Sequence, residues 1–345
     1  MLSINFLFSG DLIATINDIA RLAGVSKSTV SRVLNGDSTL AVSQNTRKNI
    51  FEAAEQLSYD KYKTKHKTNG TIAVVLSYKE SEELDDAYFM SVRIAIDNRL
   101  TDSNYRFKHF FQGDYESKNL ESQSYIGIIA VGFFGKKTIQ ALKNLQKPIV
   151  FVSTDTLLDN LDCVVTDFTS SVARTTNHLL DKGISEIGIL VAKRSHHHLI
   201  TYENDPQRFL VKSFLECEEV FNPDYFFFAE EYTAKSGYQA MREIIHTLGS
   251  KLPKAFLIGS DAIAIGAMRA LSEQKIAVPE QVSIIGFNDI TSAKYVNPSL
   301  STVHISRYGM AKAAFDLLNE QFQKRDMVPR KVTIGTSLII RDSSV

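Results

Sequence analysis

Residues 15–34 read TINDIARLAGVSKSTVSRVL, which is the spacing of two short helices that cross closely. Thr15 can cap the first helix, and Asp18 follows three residues later, as in a capping box. Gly24 suits the left-handed conformation that ends a helix and turns the chain. Since Ser26 can cap a second helix, the stretch predicts a helix-turn-helix.

The apolar residues of this region recur at helical spacing and predict one small core. On the first helix they are Ile16, Ile19, Ala20 and Ala23, and on the second Val30, Val33 and Leu34. A third helix, capped by Ser43, carries Thr46, Ile50, Ala53, Ala54 and Leu57, and Tyr59 closes the unit. The plainer alternative is an αα-hairpin with a polar outer face.

The outward face of the second helix carries hydrogen-bond donors and no acid: Lys27, Ser28, Ser31 and Arg32. Lysine and arginine can reach guanine acceptors in the major groove, and hydroxyls can reach bases or phosphates. This face therefore predicts contact with double-stranded DNA.

The net charge of the 345 residues is zero, from 39 basic and 39 acidic side chains, but its distribution is uneven. Residues 14–70 hold nine basic and five acidic side chains, which is +4. Residues 1–13 hold one acid, so residues 71–345 sum to −3. A basic end on an acidic body favours nucleic acid at that end, although a basic stretch can also be a solubilising surface.

The composition predicts a globular protein of two or three domains. Two cysteines do not make a disulfide framework, and we expect a reducing cytoplasm and no membrane partner. Residues 1–13 lack a basic start, and Ser9-Gly10-Asp11 interrupts their apolar run. We therefore expect a leader or an upstream start rather than a secretory signal.

From residue 71 onward, strand-like apolar runs alternate with amphipathic helical stretches, as in an α/β fold with parallel sheets. The expected strands are 72–76, 105–110, 126–131, 149–152 and 164–166, then 187–191, 225–228, 255–258, 282–285 and 301–304. Two such series predict two doubly wound lobes with a ligand cleft at the carboxyl ends of their strands. No dinucleotide or Walker A motif is present, so no nucleotide cofactor is expected.

Residues 14–20, 23–26 and 29–35 together resemble the headpiece of the LacI/GalR family of sugar-responsive repressors. Residues 36–43 are most similar to the branch with the evolved-β-galactosidase operon repressor. Residues 259–271, 278–290 and 298–303 resemble the family's periplasmic-binding-protein-like core. The resemblance implies an N-terminal three-helix headpiece followed by a two-lobed sugar-binding and dimerisation core.

The resemblance also implies the DNA contacts. The two residues after the capping serine, Lys27 and Ser28, would select operator bases, and Arg32 would contact a guanine. The remaining contacts, to phosphates or neighbouring bases, would come from Thr15, Ser26, Thr29, Ser31 and Asn35. The linker departs from the family pattern: residues 59–70 lack the Ala-x-x-Leu-like hinge helix and alternate lysine with polar residues. We expect a flexible basic tether there.

The expected domain order is residues 1–13 (leader), 14–58 (headpiece), 59–70 (linker) and 71–345 (core). Within the core we assign 71–165 and 291–320 to the N-lobe, and 166–290 and 321–345 to the C-lobe. Six residues are predicted to meet the effector. By resemblance these are Arg208, Asn288, Ser260 and Tyr88, and by position after strands Ser77 and Ser153. Tyr88 is alternatively a core aromatic, and Asn288 a loop cap.

His196-His197-His198 does not predict a metal site, because consecutive residues point in different directions. No spacing of carboxylates singles out a catalytic pair, so we expect no enzyme activity. The resemblance implies a homodimeric repressor of carbohydrate-utilisation genes, released from a palindromic operator by galactose or a β-galactoside. The alternatives are an activator, a corepressor-dependent regulator, or a sugar-binding transport protein.

Overall fold

The computed structural model describes residues 14–34, 40, 42–57, 59, 68–84, 87–114, 120, 124–193, 216, 221–323 and 328–345. The chain divides into two compact units, residues 1–69 and 70–345, which we call the headpiece unit and the core. None of the helices in these ranges has the length and apolarity needed to span a bilayer.

The headpiece unit contains three helices: α1 (Ile16–Ala23), α2 (Lys27–Leu34) and α3 (Gln44–Gln56). Their buried residues are those that the periodicity predicted, and they form one cluster: Ile19, Val30, Val33, Leu34, Ile50, Ala53, Ala54 and Tyr59. This small core holds the three helices together and leaves the outer face of α2 exposed.

The predicted caps are confirmed. The amide and hydroxyl of Thr15 both donate to Oδ2 of Asp18, at 3.0 and 2.6 Å, which fixes the start of α1. Gly24 ends α1 with φ 65° and ψ 33°. Oγ of Ser26 accepts from the Thr29 amide at 3.1 Å, and Ser43 accepts from the Thr46 amide in the same way.

The core contains two six-stranded sheets within the described ranges. The N-lobe sheet has the order β11-β5-β4-β3-β1-β2, and every neighbouring pair in it is parallel. Its elements are β1 (Thr71–Leu76), α4 (Ala87–Asp102), β2 (Arg106–Phe110), β3 (Gly127–Val131), α5 (Lys136–Asn144), β4 (Ile149–Val152), β5 (Asp162–Thr166), α9 (Arg307–Gln323) and β11 (Lys331–Ile334).

The C-lobe sheet has the order β12-β10-β9-β8-β6-β7, and only the β10–β12 pair is antiparallel among its described strands. Its elements are α6 (Phe168–Asp181), β6 (Ile187–Ala192), β7 (Phe226–Ala229), α7 (Ala234–Leu248), β8 (Ala255–Ile258), α8 (Asp261–Glu273), β9 (Ser283–Asn288), β10 (Ser301–Ile305) and β12 (Thr336–Ile339). Each of the ten strands expected from the sequence is present, with ends shifted by up to three residues.

The division of the core between its lobes differs from the expectation at two strands. We placed residues 291–320 in the N-lobe, yet β10 pairs with β9 in the C-lobe sheet. We placed residues 321–345 in the C-lobe, yet β11 pairs with β5 in the N-lobe sheet. The chain crosses between lobes after β5, after β10 and at Gly335, and hydrophobic periodicity does not reveal which sheet a strand joins.

Helices α7 and α8 approach so closely that glycine is required at their crossing. A Cβ built on Gly266 would lie 1.9 Å from the carbonyl oxygen of Ala234 and 2.7 Å from the amide nitrogen of Tyr238. These are backbone atoms, so the helices themselves would have to separate.

We expect Gly266→Ala to lower the free energy of unfolding by roughly 3 kcal/mol, at the high end for overpacking a core. Urea unfolding followed by circular dichroism measures this. Gly335→Ala is the matched control, because a Cβ there meets no atom within 4 Å. Equal midpoints for the two variants would contradict the prediction.

Candidate nucleic-acid interface and effector cleft

The outer face of α2 presents the predicted DNA contacts. Lys27, Ser28 and Arg32 are exposed and Ser31 is half-buried, whereas Val30, on the inner face, is buried. The side chains on this face are hydroxyls and cations, which suits a surface that meets phosphates and base edges. Asn35 lies outside the described residues.

The hydroxyls at the start of α2 are held in a defined arrangement. Oγ of Ser26 lies 2.8 Å from the hydroxyl oxygens of both Ser28 and Thr29. Thr15 differs, since its hydroxyl is committed to Asp18. Hydrogen bonds from Thr15 lower the pKa of Asp18, and Arg21 pairs with the same carboxylate at 2.8 Å. Thr15 can therefore meet DNA only through its remaining lone pairs, and the charge of Asp18 is compensated locally.

Four predicted effector residues lie at the carboxyl ends of strands in the two sheets, and a fifth lies at the start of a helix. Ser77 follows β1, Ser153 follows β4, Ser260 follows β8 and Asn288 ends β9, while Tyr88 lies in the first turn of α4. Arg208 lies outside the described residues.

Two of the predicted serines are used by the fold. Ser77 is buried, and its Oγ accepts from the amide of Phe133 at 3.0 Å. A Cβ at Gly132 would lie 2.1 Å from that oxygen, so this loop closes directly over Ser77. Ser260 is also buried, and its Oγ caps α8 by accepting from the amide of Ile263 at 3.3 Å. Both serines therefore position backbone near the carboxyl ends of strands.

Ser153 has a different environment. Its φ is 76°, and its Oγ is buried without a hydrogen-bond partner among the described residues. A buried hydroxyl without a partner is costly, and a non-glycine residue at positive φ is uncommon. The Ser153 hydroxyl therefore remains able to hydrogen-bond a ligand, whereas the hydroxyls of Ser77 and Ser260 already accept from backbone amides.

Tyr88 belongs to an aromatic cluster that the sequence analysis missed, made of Tyr78, Tyr88, Phe89, Phe111 and Phe133. Phe89 lies at its centre, with ring centroids 5.1 Å from Tyr88, 5.8 Å from Tyr78 and 5.6 Å from Phe133. Phe111 meets Tyr78 at 6.0 Å. Three members follow the ends of β1, β2 and β3, so the cluster lines the carboxyl edge of the N-lobe sheet.

A chain of buried and half-buried polar groups extends from the Tyr78 hydroxyl of this cluster. The Tyr78 hydroxyl donates to Glu83 at 3.0 Å, and Arg93 binds both oxygens of Glu83, at 2.7 and 2.8 Å. Arg93 also reaches Asp97, which contacts His109 at 2.9 Å. Burial and the neighbouring Glu83 carboxylate raise the pKa of Tyr78, so the tyrosine stays neutral.

In the C-lobe, Asn288 and Asp289 form a turn with positive φ at both residues, 107° and 51°. The Asp289 carboxylate accepts from Arg341 at 2.6 Å and contacts Nδ1 of His304 at 2.9 Å. Burial opposes ionisation of Asp289, but these two partners lower its pKa overall. The turn is thus anchored by an ionised carboxylate, and it leaves the Asn288 amide at the end of β9.

Asp261 supports the same turn from beneath. Its fully buried carboxylate accepts from the Thr302 hydroxyl at 2.6 Å and from the Ile290 amide at 2.8 Å. Burial raises the pKa of Asp261 to about 7, against the hydrogen bonds that lower it.

We expect the contribution of Asp261 to stability to fall as pH rises from about 4 to 7. The unfolded residue titrates near 4, so between about pH 4 and 7 the folded state binds the extra proton. Asp261→Asn should remove this dependence, on the order of 2 kcal/mol, as measured by urea unfolding at several pH values. Asp102→Asn, an exposed carboxylate on α4, is the control. The same pH slope in wild type and Asp261→Asn would contradict the assignment.

Within the described ranges, no group of three His, Cys, Asp or Glu residues could hold a metal ion. Residues 196–198, the histidine run, lie outside those ranges.

Known proteins match both units. The family model "Bacterial regulatory proteins, lacI family" matches residues 15–61, and "Periplasmic binding protein-like domain" matches residues 176–344. The HTH-type transcriptional regulator GalR of Streptococcus thermophilus is 37% identical over 334 residues, 96% of this chain and 99% of that protein. The chain belongs to the LacI family.

Solved structures agree on the fold. A transcriptional regulator CelR–cellobiose complex has a TM-score of 0.70 at 22% identity, covering 96% of this chain and 100% of that one. The Lac repressor dimer bound to operator and the anti-inducer ONPF has a TM-score of 0.69 at 21% identity, covering 96% and 99%.

Membership decides between the broad classes of function. The protein is a DNA-binding transcriptional regulator and not an enzyme, as expected. The alternative of a sugar-binding transport protein is set aside, because a LacI-family DNA-binding headpiece precedes the binding-protein-like core.

Proposed function

We propose that this protein is a cytoplasmic homodimer that represses carbohydrate-utilisation genes from an approximately palindromic operator. A small sugar, galactose or a β-galactoside, releases it from that operator. The observation that carries the proposal is the exposed face of α2, with Lys27, Ser28 and Arg32 mounted on a packed three-helix core.

The roles of the individual DNA contacts follow from their chemistry and placement. Lys27 and Ser28 stand at the start of α2, where a recognition helix contacts base edges. Arg32 lies one turn further on and can bind the two acceptors of a guanine. The hydroxyls of Ser26, Thr29 and Ser31, together with Asn35, contact phosphates or neighbouring bases. Thr15, whose hydroxyl proton is bonded to Asp18, accepts from a donor on a neighbouring base.

The proposed effector cleft lies between the carboxyl edges of the two sheets. Sugar sites combine an apolar or aromatic face with a few placed polar groups. The aromatic cluster supplies the face, and the Asn288 amide and the spare hydroxyl of Ser153 supply polar groups. Arg208 completes the set as the group that chelates adjacent hydroxyls. The sugar is inferred from similarity to a regulator named GalR.

The homodimer follows from the modest charge of the DNA-binding end. Residues 14–70 carry a net charge of only +4, which gives limited attraction for phosphates. Two linked headpieces (14–58), each on a tether (59–70) from the core (71–345), raise the affinity by binding two half-sites together. A two-fold symmetric protein then selects a palindrome.

The test is retardation of the DNA upstream of the protein's own gene, followed by titration with galactose and lactose. Glucose and an unrelated DNA fragment of equal length are the controls. We expect retardation that galactose or lactose reverses and glucose does not. Failure to retard the fragment at low salt contradicts the operator proposal, and retardation insensitive to every sugar contradicts the inducer proposal. Transcription in vitro separates repression from activation.

A further inference from the structure

Arg307 occupies the point where the chain crosses from the C-lobe to the N-lobe. It is the first residue of α9, which packs on the N-lobe, and it follows β10, the C-lobe strand that ends at Ile305. Its side chain is half-buried. A contact from this position can reach both lobes.

The guanidinium of Arg307 makes such contacts on both sides. In the N-lobe, Nε donates to Oγ of Ser91 on α4 at 2.9 Å. In the C-lobe, Nη2 donates to the carbonyl oxygen of Asn288 at 3.1 Å and also to that of Asp289. The Ser91 hydroxyl in turn donates a hydrogen bond to the carbonyl oxygen of Tyr88 at 2.5 Å. Hydrogen bonds thus run continuously from Tyr88 through Ser91 and Arg307 to Asn288.

These end points are the two effector residues that the sequence predicted on opposite lobes. The backbone of Asn288 and Asp289 requires stabilising contacts from other residues, because positive φ angles at non-glycine residues cost conformational energy. Arg307 binds the two main-chain carbonyl groups of that turn, so it holds the backbone that carries the Asn288 side chain.

The chemistry of arginine suits this role. All three acceptors are neutral oxygens, so the interaction relies on the directions of the hydrogen bonds rather than on an ion pair. Arginine supplies several donors in a rigid planar fork, whereas lysine supplies one compact ammonium on a flexible stem.

We propose that Arg307 is a positioning residue that couples the two walls of the effector cleft, Tyr88 on α4 and the Asn288–Asp289 turn after β9. Its relevance to the effector rests on the proposed function. A ligand shifts an equilibrium between lobe arrangements only by its differential affinity for them. Because Arg307 links both walls, a sugar that moves one wall also moves the other.

The first test is hydrogen–deuterium exchange of the full-length protein without ligand. The probes are the peptide covering 287–290, where the amides of Asp289 and Ile290 bond to Thr302 and Asp261, and the peptide covering 88–92. We expect Arg307→Ala to speed exchange about tenfold in both peptides, because the variant loses hydrogen bonds made by a charged group. Arg307→Lys should give an intermediate increase in both.

Ser91→Ala is the more discriminating variant, because it removes one hydroxyl from the N-lobe and its effect is measured in the C-lobe. It should speed exchange in the peptide 287–290, and it should add nothing there when Arg307→Ala is already present. Thr101→Val is the matched control, because that hydroxyl also bonds an α4 carbonyl, of Asp97 at 2.8 Å. If Ser91→Ala leaves exchange at 287–290 unchanged, or if the two effects add, the coupling is absent.

The affinity for galactose provides a second measurement of the same coupling. Calorimetric affinity for galactose should fall about tenfold in Arg307→Ala, whereas the control Thr101→Val should bind galactose as wild type does. Unchanged galactose affinity in a folded Arg307→Ala protein overturns the coupling. If wild type itself binds no sugar, the proposed effector is wrong, and the exchange data still decide the role of Arg307.

Discussion

Replacing Arg32 with alanine is expected to abolish specific operator binding and leave sugar affinity intact. A bidentate arginine–guanine pair discriminates by about 1–3 kcal/mol, and a homodimer loses one such pair in each half-site. The combined loss, about 2–6 kcal/mol, weakens specific binding by about 30-fold to about 20,000-fold. Arg32 is exposed on α2, outside the headpiece core, so the headpiece should stay folded.

Gel retardation with operator and scrambled DNA measures this loss, and calorimetry with galactose checks the core. The control is Arg269→Ala, which removes the same charge from an exposed arginine on α8, paired with Glu273 at 3.0 Å. That variant should bind operator as wild type does. Operator binding by Arg32→Ala within threefold of wild type would falsify the assignment of Arg32 to a base contact.

Arg208→Ala is expected to have the opposite phenotype: a repressor that binds its operator and cannot be released by sugar. Two hydrogen bonds from a guanidinium to adjacent sugar hydroxyls are worth about 1.5–3 kcal/mol each, so galactose affinity should fall more than about 100-fold. The headpiece is a separate compact unit, so DNA binding should persist.

Galactose titration of the preformed protein–DNA complex, beside direct calorimetry, measures the effect. Arg208→Lys keeps the charge but not the planar fork, and it should also bind poorly. Arg269→Ala, on α8 of the C-lobe, should respond normally. An Arg208→Ala protein that galactose releases at the wild-type concentration would show that another residue chelates the sugar.

The headpiece could be predicted almost completely from its sequence. The Thr15–Asp18 capping box, the turn at Gly24 and the cap at Ser26 all join residues within three or four positions of each other. Such contacts are specified by spacing, because one helical turn brings those residues together. The strand positions of the core could be predicted for a related reason, since buried parallel strands are short continuous apolar runs.

The assignment of strands to lobes could not be predicted in full. Strand β11 alternates exposed and half-buried residues and stands at the edge of its sheet. Only Gly335 separates it from β12, which joins the other sheet. Two neighbouring strands with similar patterns therefore belong to different lobes, and only their pairing partners distinguish them.

The candidate effector site was predicted in part. The effector contacts of Tyr88 and Asn288 stay a prediction: Tyr88 is buried in the hydrophobic core and Asn288 is buried at the end of β9, while Ser77 and Ser260 are engaged in positioning backbone. The aromatic cluster was missed, although Tyr78, Phe111 and Phe133 each come one or two residues after a strand that the sequence predicts. An aromatic residue at that position of several parallel strands is the signal that could have found it.

The sequence by itself determined what this protein is: a basic helix-turn-helix on an acidic, two-lobed α/β core. Those features depend on short-range spacing and on the division of charge, +4 against −3, behind a total of zero. The tertiary structure alone decided which residues distant in sequence contact one another. Arg307 binds Ser91 across 216 residues of chain, and the Asn288 carbonyl across 19. Such contacts depend on how the chain folds back between the two lobes. Hydrophobic periodicity does not specify which distant residues meet there.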